Sequence, residues 1–142
     1  MRPATAVPSD PLGTQSSAAR LPDSSMAPGN LLNPLPDASA EEQFVDILTR
    51  PGCRFERIVS QGQTTPADRP YVQGHDEWVL VLAGGARIET AAGETALSPG
   101  DHLLIPAGVA HRVTFTDPDR PTVWLAVHFE AGRSETSSRE AS

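Results

Sequence analysis

At 142 residues the chain is long enough for one domain, and its formal net charge of −7 with no basic stripe argues against nucleic acid or an anionic membrane surface as partner. No apolar run approaches the roughly 18 residues a membrane span needs. A single cysteine, Cys53, excludes an internal disulfide and reads as an inert strand residue.

Residues 1–36 hold seven of the 14 prolines, many Ser and Ala, and no aromatic side chain. Such a stretch cannot bury enough apolar area to offset its ordering entropy, so a disordered tail is expected there. It lacks an apolar signal core, which makes the cytoplasm the expected location. Residues 39–49, S-A-E-E-Q-F-V-D-I-L-T, predict one short N-terminal helix. Ser39 and Glu42 have capping-box spacing, Phe44, Ile47 and Leu48 form an i, i+3, i+4 stripe, and Pro51-Gly52 stops it.

Everything after Gly52 reads as strand and turn. Residues 55–60 predict a first strand. Residues 78–82, W-V-L-V-L, are apolar on both faces. Residues 87–90 and 95–97 predict a hairpin around Ala-Ala-Gly. Residues 102–105 and 112–115 predict two more strands, residues 117–121 (D-P-D-R-P) a turn, and residues 122–129 (T-V-W-L-A-V-H-F) the last strand. Many short strands spaced by turns predict an all-β sandwich or barrel. The folded unit is expected over residues 37–130, with residues 131–142 a flexible C-terminal tail. A core of about 90 residues is small, so a second copy covering the Trp-bearing outer surface is expected to help stabilise it as a homodimer.

Four histidines offer chemistry: His75, His102, His111 and His128. Strand alternation puts His111 on one face with Val113 and Phe115, and Arg112, Thr114 and Thr116 on the other. The polar set belongs outside, which points His111 inward. Glu77 shares a face with Val79 and Val81. His128 shares one with Trp124 and Ala126 and lines either the pocket or an interface. His102 is expected to be exposed. Trp78 and Trp124 read as core or interface anchors, and Arg57 and Arg112 as exposed strand residues. No nucleophile elbow or Gly-rich phosphate loop is present.

Gly100 to His111, G-D-H-L-L-I-P-A-G-V-A-H, resembles the second signature motif of the cupin superfamily, through Gly100, Pro106, Gly108 and His111. Glu77, followed by six residues and Gly84, resembles the end of the first motif. Residues 56–62, 76–79 and 122–129 resemble a group of small bacterial cupins of undetermined function. The resemblance implies a single cupin jelly-roll β-barrel, commonly dimeric, with a divalent metal inside. Two departures matter. The histidine pair of the first motif is absent, its places falling on Tyr71 and Gln73 or on Pro70 and Val72, and Phe115 replaces the asparagine that ends the second motif.

Only Glu77 and His111 carry over as ligands residue by residue. His75 with Glu77 and His111 makes a 2-His-1-carboxylate set, and Gln73 offers a fourth donor. Such a set suits Zn, Fe, Mn or Ni. In a regular strand Gln73, His75 and Glu77 are about 6.6 Å apart per step, so they converge only if the chain bends, which Gly74 permits. With metal bound, the barrel acts on or binds a small organic molecule, and Tyr71 or His128 is the candidate proton carrier. The alternative is a non-enzymatic small-ligand or sensor module with a degenerate metal site.

Overall fold

A computed structural model describes residues 26–130. Eight strands form: β1 Gln43–Arg50, β2 Cys53–Ser60, β3 Asp76–Ala83, β4 Ala86–Thr90, β5 Gly93–Leu97, β6 His102–Ile105, β7 Arg112–Thr116 and β8 Thr122–Phe129. They make two antiparallel sheets, in the orders β1-β2-β8-β3-β6 and β5-β4-β7. The hydrogen-bond ladder is not continuous between the sheets, so this is a two-sheet jelly roll rather than a closed barrel. Tyr71 bridges to His111, which stitches the long β2–β3 connection to the start of β7.

The expected strands are found, and β6 and β8 coincide with their expected limits. The expected N-terminal helix over residues 39–49 is not. Those residues run into β1, which pairs with β2 through seven residue pairs. The local helix signals serve other partners. Asp37 Oδ1 accepts from the Ser39 amide at 2.9 Å, and Glu42 accepts from the Ser60 hydroxyl of β2. The i, i+3, i+4 stripe is split by a bulge at Ile47: Phe44 pairs with Ile58 before it and Leu48 with Phe55 after it.

The expected tail at residues 1–36 is described only from residue 26, and residues 131–142 lie outside the described part. Residues 31–34 rest on the outer face of the large sheet, where the Arg57 guanidinium donates to the carbonyls of Leu31 (3.3 Å) and Pro34 (3.5 Å).

Alternation decides the core. Along β3 the burial pattern puts Glu77, Val79 and Val81 inside, with Trp78 and Leu80 on the other face. The register carries this pattern across the sheet. Val79 pairs with Ala126 and Leu103, and Val81 with Trp124, which pairs with Ile58. Ile88, Leu97 and Val113 close the core from the small sheet. Burying each of these aliphatic side chains stabilises by about 1.5–3 kcal/mol. Trp124 is a core residue whose indole N–H donates to Ser60 Oγ at 3.2 Å, whereas Trp78 is half-buried on the outer face beside the exposed His102.

One face assignment needs correction. His111 and Val113 point inward, but the register slips between Arg87 and Ile88 of β4, and beyond it the sides exchange. Phe115 turns out under the Arg87 guanidinium, 4.9 Å from its ring centre. Thr116 turns in and donates to the Gln63 carbonyl at 2.8 Å.

Candidate functional site

The inner side of the large sheet is apolar in its middle, polar at Ser60 and Thr122, and carries its charged and imidazole side chains at the other end. There the alternation of β2 supplies Arg54 and Glu56, β3 supplies Glu77, and β8 supplies His128; Glu77 pairs with His128, and His128 with Arg54. The β2–β3 connection adds Tyr71, Gln73 and His75, and the turn before β7 adds His111. Glu56 and Glu77 are fully buried, His111 is 1% exposed, His128 5% and Gln73 7%.

These side chains fall into two groups. In the first, Glu77 Oε1 lies 3.9 Å from His111 Nε2, too far for a hydrogen bond. Both Glu77 oxygens, His111 Nε2 and both amide atoms of Gln73 are buried without a hydrogen-bond partner. Among native structures each such group calls for an explanation. The ring geometry sharpens it. His111 Nδ1 lies 3.0 Å from the Val109 carbonyl, which can only accept, so Nδ1 carries the proton. Burial lowers the His111 pKa and keeps the ring neutral, which leaves a bare lone pair on Nε2 aimed at a carboxylate. Burial pushes the Glu77 carboxyl up to about 7. Tyr71 stacks obliquely beside His111 with ring centres 5.8 Å apart; burial, then the charges of Glu42 and Glu77, push its phenol up to about 12.

The second group is linked by hydrogen bonds and ion pairs. His75 Nε2 lies 3.0 Å from His128 Nδ1, and His128 Nε2 lies 3.0 Å from Glu56 Oε1. Arg54 contacts Glu56 Oε2 at 3.3 Å and Asp46 Oδ1 at 3.2 Å. His128 Nε2 is also 3.9 Å from Glu77 Oε2, so Glu77 sits between the two groups. His75 lies outside β3, and its ring goes to His128 rather than to His111. The chain does bend before Glu77, as Gly74 permits: the Gln73 carbonyl accepts from the Gly108 amide at 2.8 Å and β3 starts only at Asp76. The bend takes the His75 ring to His128, and the Gln73 amide is buried without a partner.

Sequence reasoning misses Arg54 and Glu56. A signal for them is present: R-F-E-R-I places Arg54, Glu56 and Ile58 on one face, and a charged pair in line with a core isoleucine points inside.

Whether these donors suit a metal can be tested on geometry. Two donors each about 2.1 Å from one ion can be at most about 4.2 Å apart, so Glu77 and His111 can share one. His111 Nδ1 bonded to a backbone carbonyl is the usual support for a metal-bound imidazole. Among the described residues, however, no three His, Cys, Asp or Glu side chains gather to hold an ion by themselves. The pair whose separation one ion could bridge is Glu77 and His111.

A two-sheet jelly roll with a buried carboxylate–imidazole pair on its inner face defines a class of small β-sandwich site proteins. Comparison with known proteins makes this specific. The family model described as "Cupin domain" matches residues 56–128, and the chain belongs to that family. A crystal structure from Ralstonia eutropha JMP134, described as a "putative mannose-6-phosphate isomerase", is 43% identical over 74% of this chain and 99% of its own, with a TM-score of 0.71. A Thermus thermophilus structure (19% identical, 75% and 100% covered, TM-score 0.63) and a cupin superfamily protein of Desulfitobacterium hafniense DCB-2 (19% identical, 70% and 92% covered, TM-score 0.55) share the fold. The search of curated proteins returns no match. No helix among the described residues is long and apolar enough to cross a membrane.

Proposed function

We propose that this cupin holds a divalent cation between Glu77 and His111 and there binds or acts on a small organic molecule. One observation carries the reading: a neutral imidazole lone pair and a buried carboxylate face each other at 3.9 Å, and neither has a hydrogen-bond partner. Two acceptors in that arrangement call for positive charge between them. Zn, Fe, Mn and Ni all accept carboxylate, imidazole and amide oxygen together.

A cation there would supply Lewis-acid polarisation of a carbonyl or enediol oxygen. The chain's own residues define what surrounds it. Val79, Val81, Ile88 and Val113 exclude water from the apolar side. Tyr71, protonated at any physiological pH, is a hydrogen-bond donor next to His111. His128 is the group on the far side of Glu77 placed to move a proton. The description of the R. eutropha relative names an isomerase of a phosphorylated sugar, which makes a carbonyl-bearing polyol a reasonable first substrate to try.

Three donors, two of them neutral, make a weak site, so the ion should be lost during purification and regained on reconstitution. Elemental analysis of tag-free protein after incubation with Zn, Mn, Ni or anaerobic Fe(II) should find about one ion per chain. His111→Ala should abolish uptake while the fold is kept by circular dichroism. Less than a tenth of an ion per chain after every reconstitution would sink the cation reading. The second reading, ligand binding without metal, would then stand. It is favoured by the pairing of His75 with His128, which removes one expected ligand.

A further inference from the structure

Arg57, on the outer face of the large sheet, is a charge that folding leaves without a counter-ion. Among the described residues three arginines are not exposed: Arg54, Arg57 and Arg112. Arg54 lies against Asp46 and Glu56, and Arg112 donates to Glu89 at 2.7 Å. Arg57 has no carboxylate partner among the described residues. Its Nη1 reaches only the carbonyls of Leu31 and Pro34, at 3.3 and 3.5 Å. Both distances exceed the usual range of about 2.7–3.2 Å. Its Nε–H is buried with no acceptor. A guanidinium does not lose its proton in proteins, so this half-buried charge cannot be relieved by neutralising itself.

The charge stands in an apolar pocket. The chain at residues 29–31 lies over the outer face of β1, β2 and β8, and encloses about 460 Å3 with Val45, Ile47, Phe55, Arg57 and Leu125. This roof is shaped by Asn30, whose side-chain oxygen accepts from the Leu32 amide at 2.8 Å. No Asp or Glu lines the pocket. Asp46, between Val45 and Ile47 in the sequence, goes instead to Arg54.

These features select a ligand. The volume is within the range of about 300–1,000 Å3 typical of small-molecule pockets, and a roofed slot admits a slender ligand better than a second flat sheet. The aliphatic and phenyl walls match a hydrocarbon. The guanidinium matches a carboxylate, which it can meet with paired N–H donors. One positive charge balances a carboxylate monoanion, whereas a phosphate monoester brings up to two negative charges among apolar walls.

We infer that this outer pocket binds a small apolar carboxylic acid, of the medium-chain fatty acid class, as its anion. The carboxylate lies on the Arg57 guanidinium and the hydrocarbon on Val45, Ile47, Phe55 and Leu125. The site is on the face of the sheet opposite Glu77 and involves no metal, so it stands or falls independently of the cation reading.

The test uses full-length, metal-free protein at about 5 μM and about 100 μM, with binding followed by saturation-transfer NMR of the ligand. Hexanoate should bind with a Kd of about 1 mM at both protein concentrations. Acetate, which lacks the hydrocarbon, and 1-hexanol, which lacks the charge, should each bind at least tenfold more weakly, and hexyl phosphate more weakly than hexanoate. Arg57→Gln should weaken hexanoate at least tenfold and leave 1-hexanol within threefold. Val45→Asp, at a position already 41% exposed, puts a negative charge in the wall and should weaken hexanoate at least fivefold, which keeps the test open if Arg57→Gln fails to fold. Hexanoate binding unchanged in either folded variant, or 1-hexanol bound as tightly as hexanoate, overturns the proposal. So does hexyl phosphate bound as tightly or more tightly, which would make this a phosphate site. Binding at 5 μM that is lost at 100 μM gives the pocket to a second copy. No binding by the full chain up to about 20 mM hexanoate overturns the proposal, whether the pocket is empty or taken by residues 1–25 of the chain itself.

Discussion

Glu77 concentrates the conflict of this site in one side chain. It is fully buried, and its carboxyl is raised from 4.5 to about 7, chiefly by burial and further by the charge of Glu56, while the charge of His128 works against the shift. Between those two values the folded protein holds a proton that the unfolded chain has released, so stability falls as pH rises through the window. A rise from 4.5 to about 7 amounts to roughly 3 kcal/mol, lost by pH 8. His75 and His111 act in the opposite sense. Their lowered values mean the unfolded chain binds protons the folded one does not, which adds stability as pH rises through about 6.5. The comparison that isolates Glu77 is therefore with Glu77→Gln. In urea melts without metal, the variant should gain about 3 kcal/mol relative to wild type between pH 4.5 and pH 8. Saturating divalent metal should reverse the wild-type trend, because a cation binds only the ionised carboxylate. A difference independent of pH would show that Glu77 is not the strained group.

Among the elements, the turns between strands were the most legible in the sequence and the first strand the least. Gly84 shows why a turn can be read locally. It ends β3 at a φ of +84°, and a Cβ there would lie 2.5 Å from Thr122 Oγ1 and 2.6 Å from the Pro121 carbonyl oxygen. Gly100 has a similar φ of +96° but open space around it. Gly100→Ala should cost about 1–2 kcal/mol for the left-handed backbone alone. Gly84→Ala adds a collision with backbone and should cost at least about 3 kcal/mol. Chemical denaturation of the two variants measures the difference, and equal costs would mean that the β3–β4 turn yields freely. β1 could not be read this way. Its capping and periodicity signals are local, while its pairing with β2 and the bulge at Ile47 are tertiary and override them. The site follows the same division. His111 and Glu77 were legible because turn and alternation place them. The separation of His75 from Gln73 was not, because it depends on the Gly108–Gln73 hydrogen bond and on a partner, His128, 53 residues away.

For the whole molecule, the outer face of the five-stranded sheet is the feature that folding leaves unsatisfied. The register lines up Leu48, Phe55, Val127, Trp78 and Leu104 in one row across all five strands. Leu48 remains 38% exposed and Leu104 50%. The next row, Val45, Arg57, Leu125, Leu80 and His102, is partly screened by the chain at Leu31 and Pro34, to whose carbonyls Arg57 is tied. Five strands spaced by about 4.8 Å make each row roughly 20 Å long, and two residues rising about 3.3 Å each put the two rows only about 7 Å apart. So narrow a strip is well short of the roughly 800 Å2 per partner that a standard interface buries. A continuous apolar row of that extent is more than isolated exposed side chains explain, and a second copy of the same flat sheet offers the matching surface. The pair should accordingly be weak. Light scattering coupled to size exclusion should give a dimer mass at about 100 μM that falls towards the monomer near 1 μM. Leu104→Asp, at an exposed position on the edge strand β6, should leave the melting temperature within a few degrees and hold the chain monomeric at the higher concentration. A monomer mass for the wild type at 100 μM, or a dimer indifferent to Leu104→Asp, would move the contact off this face.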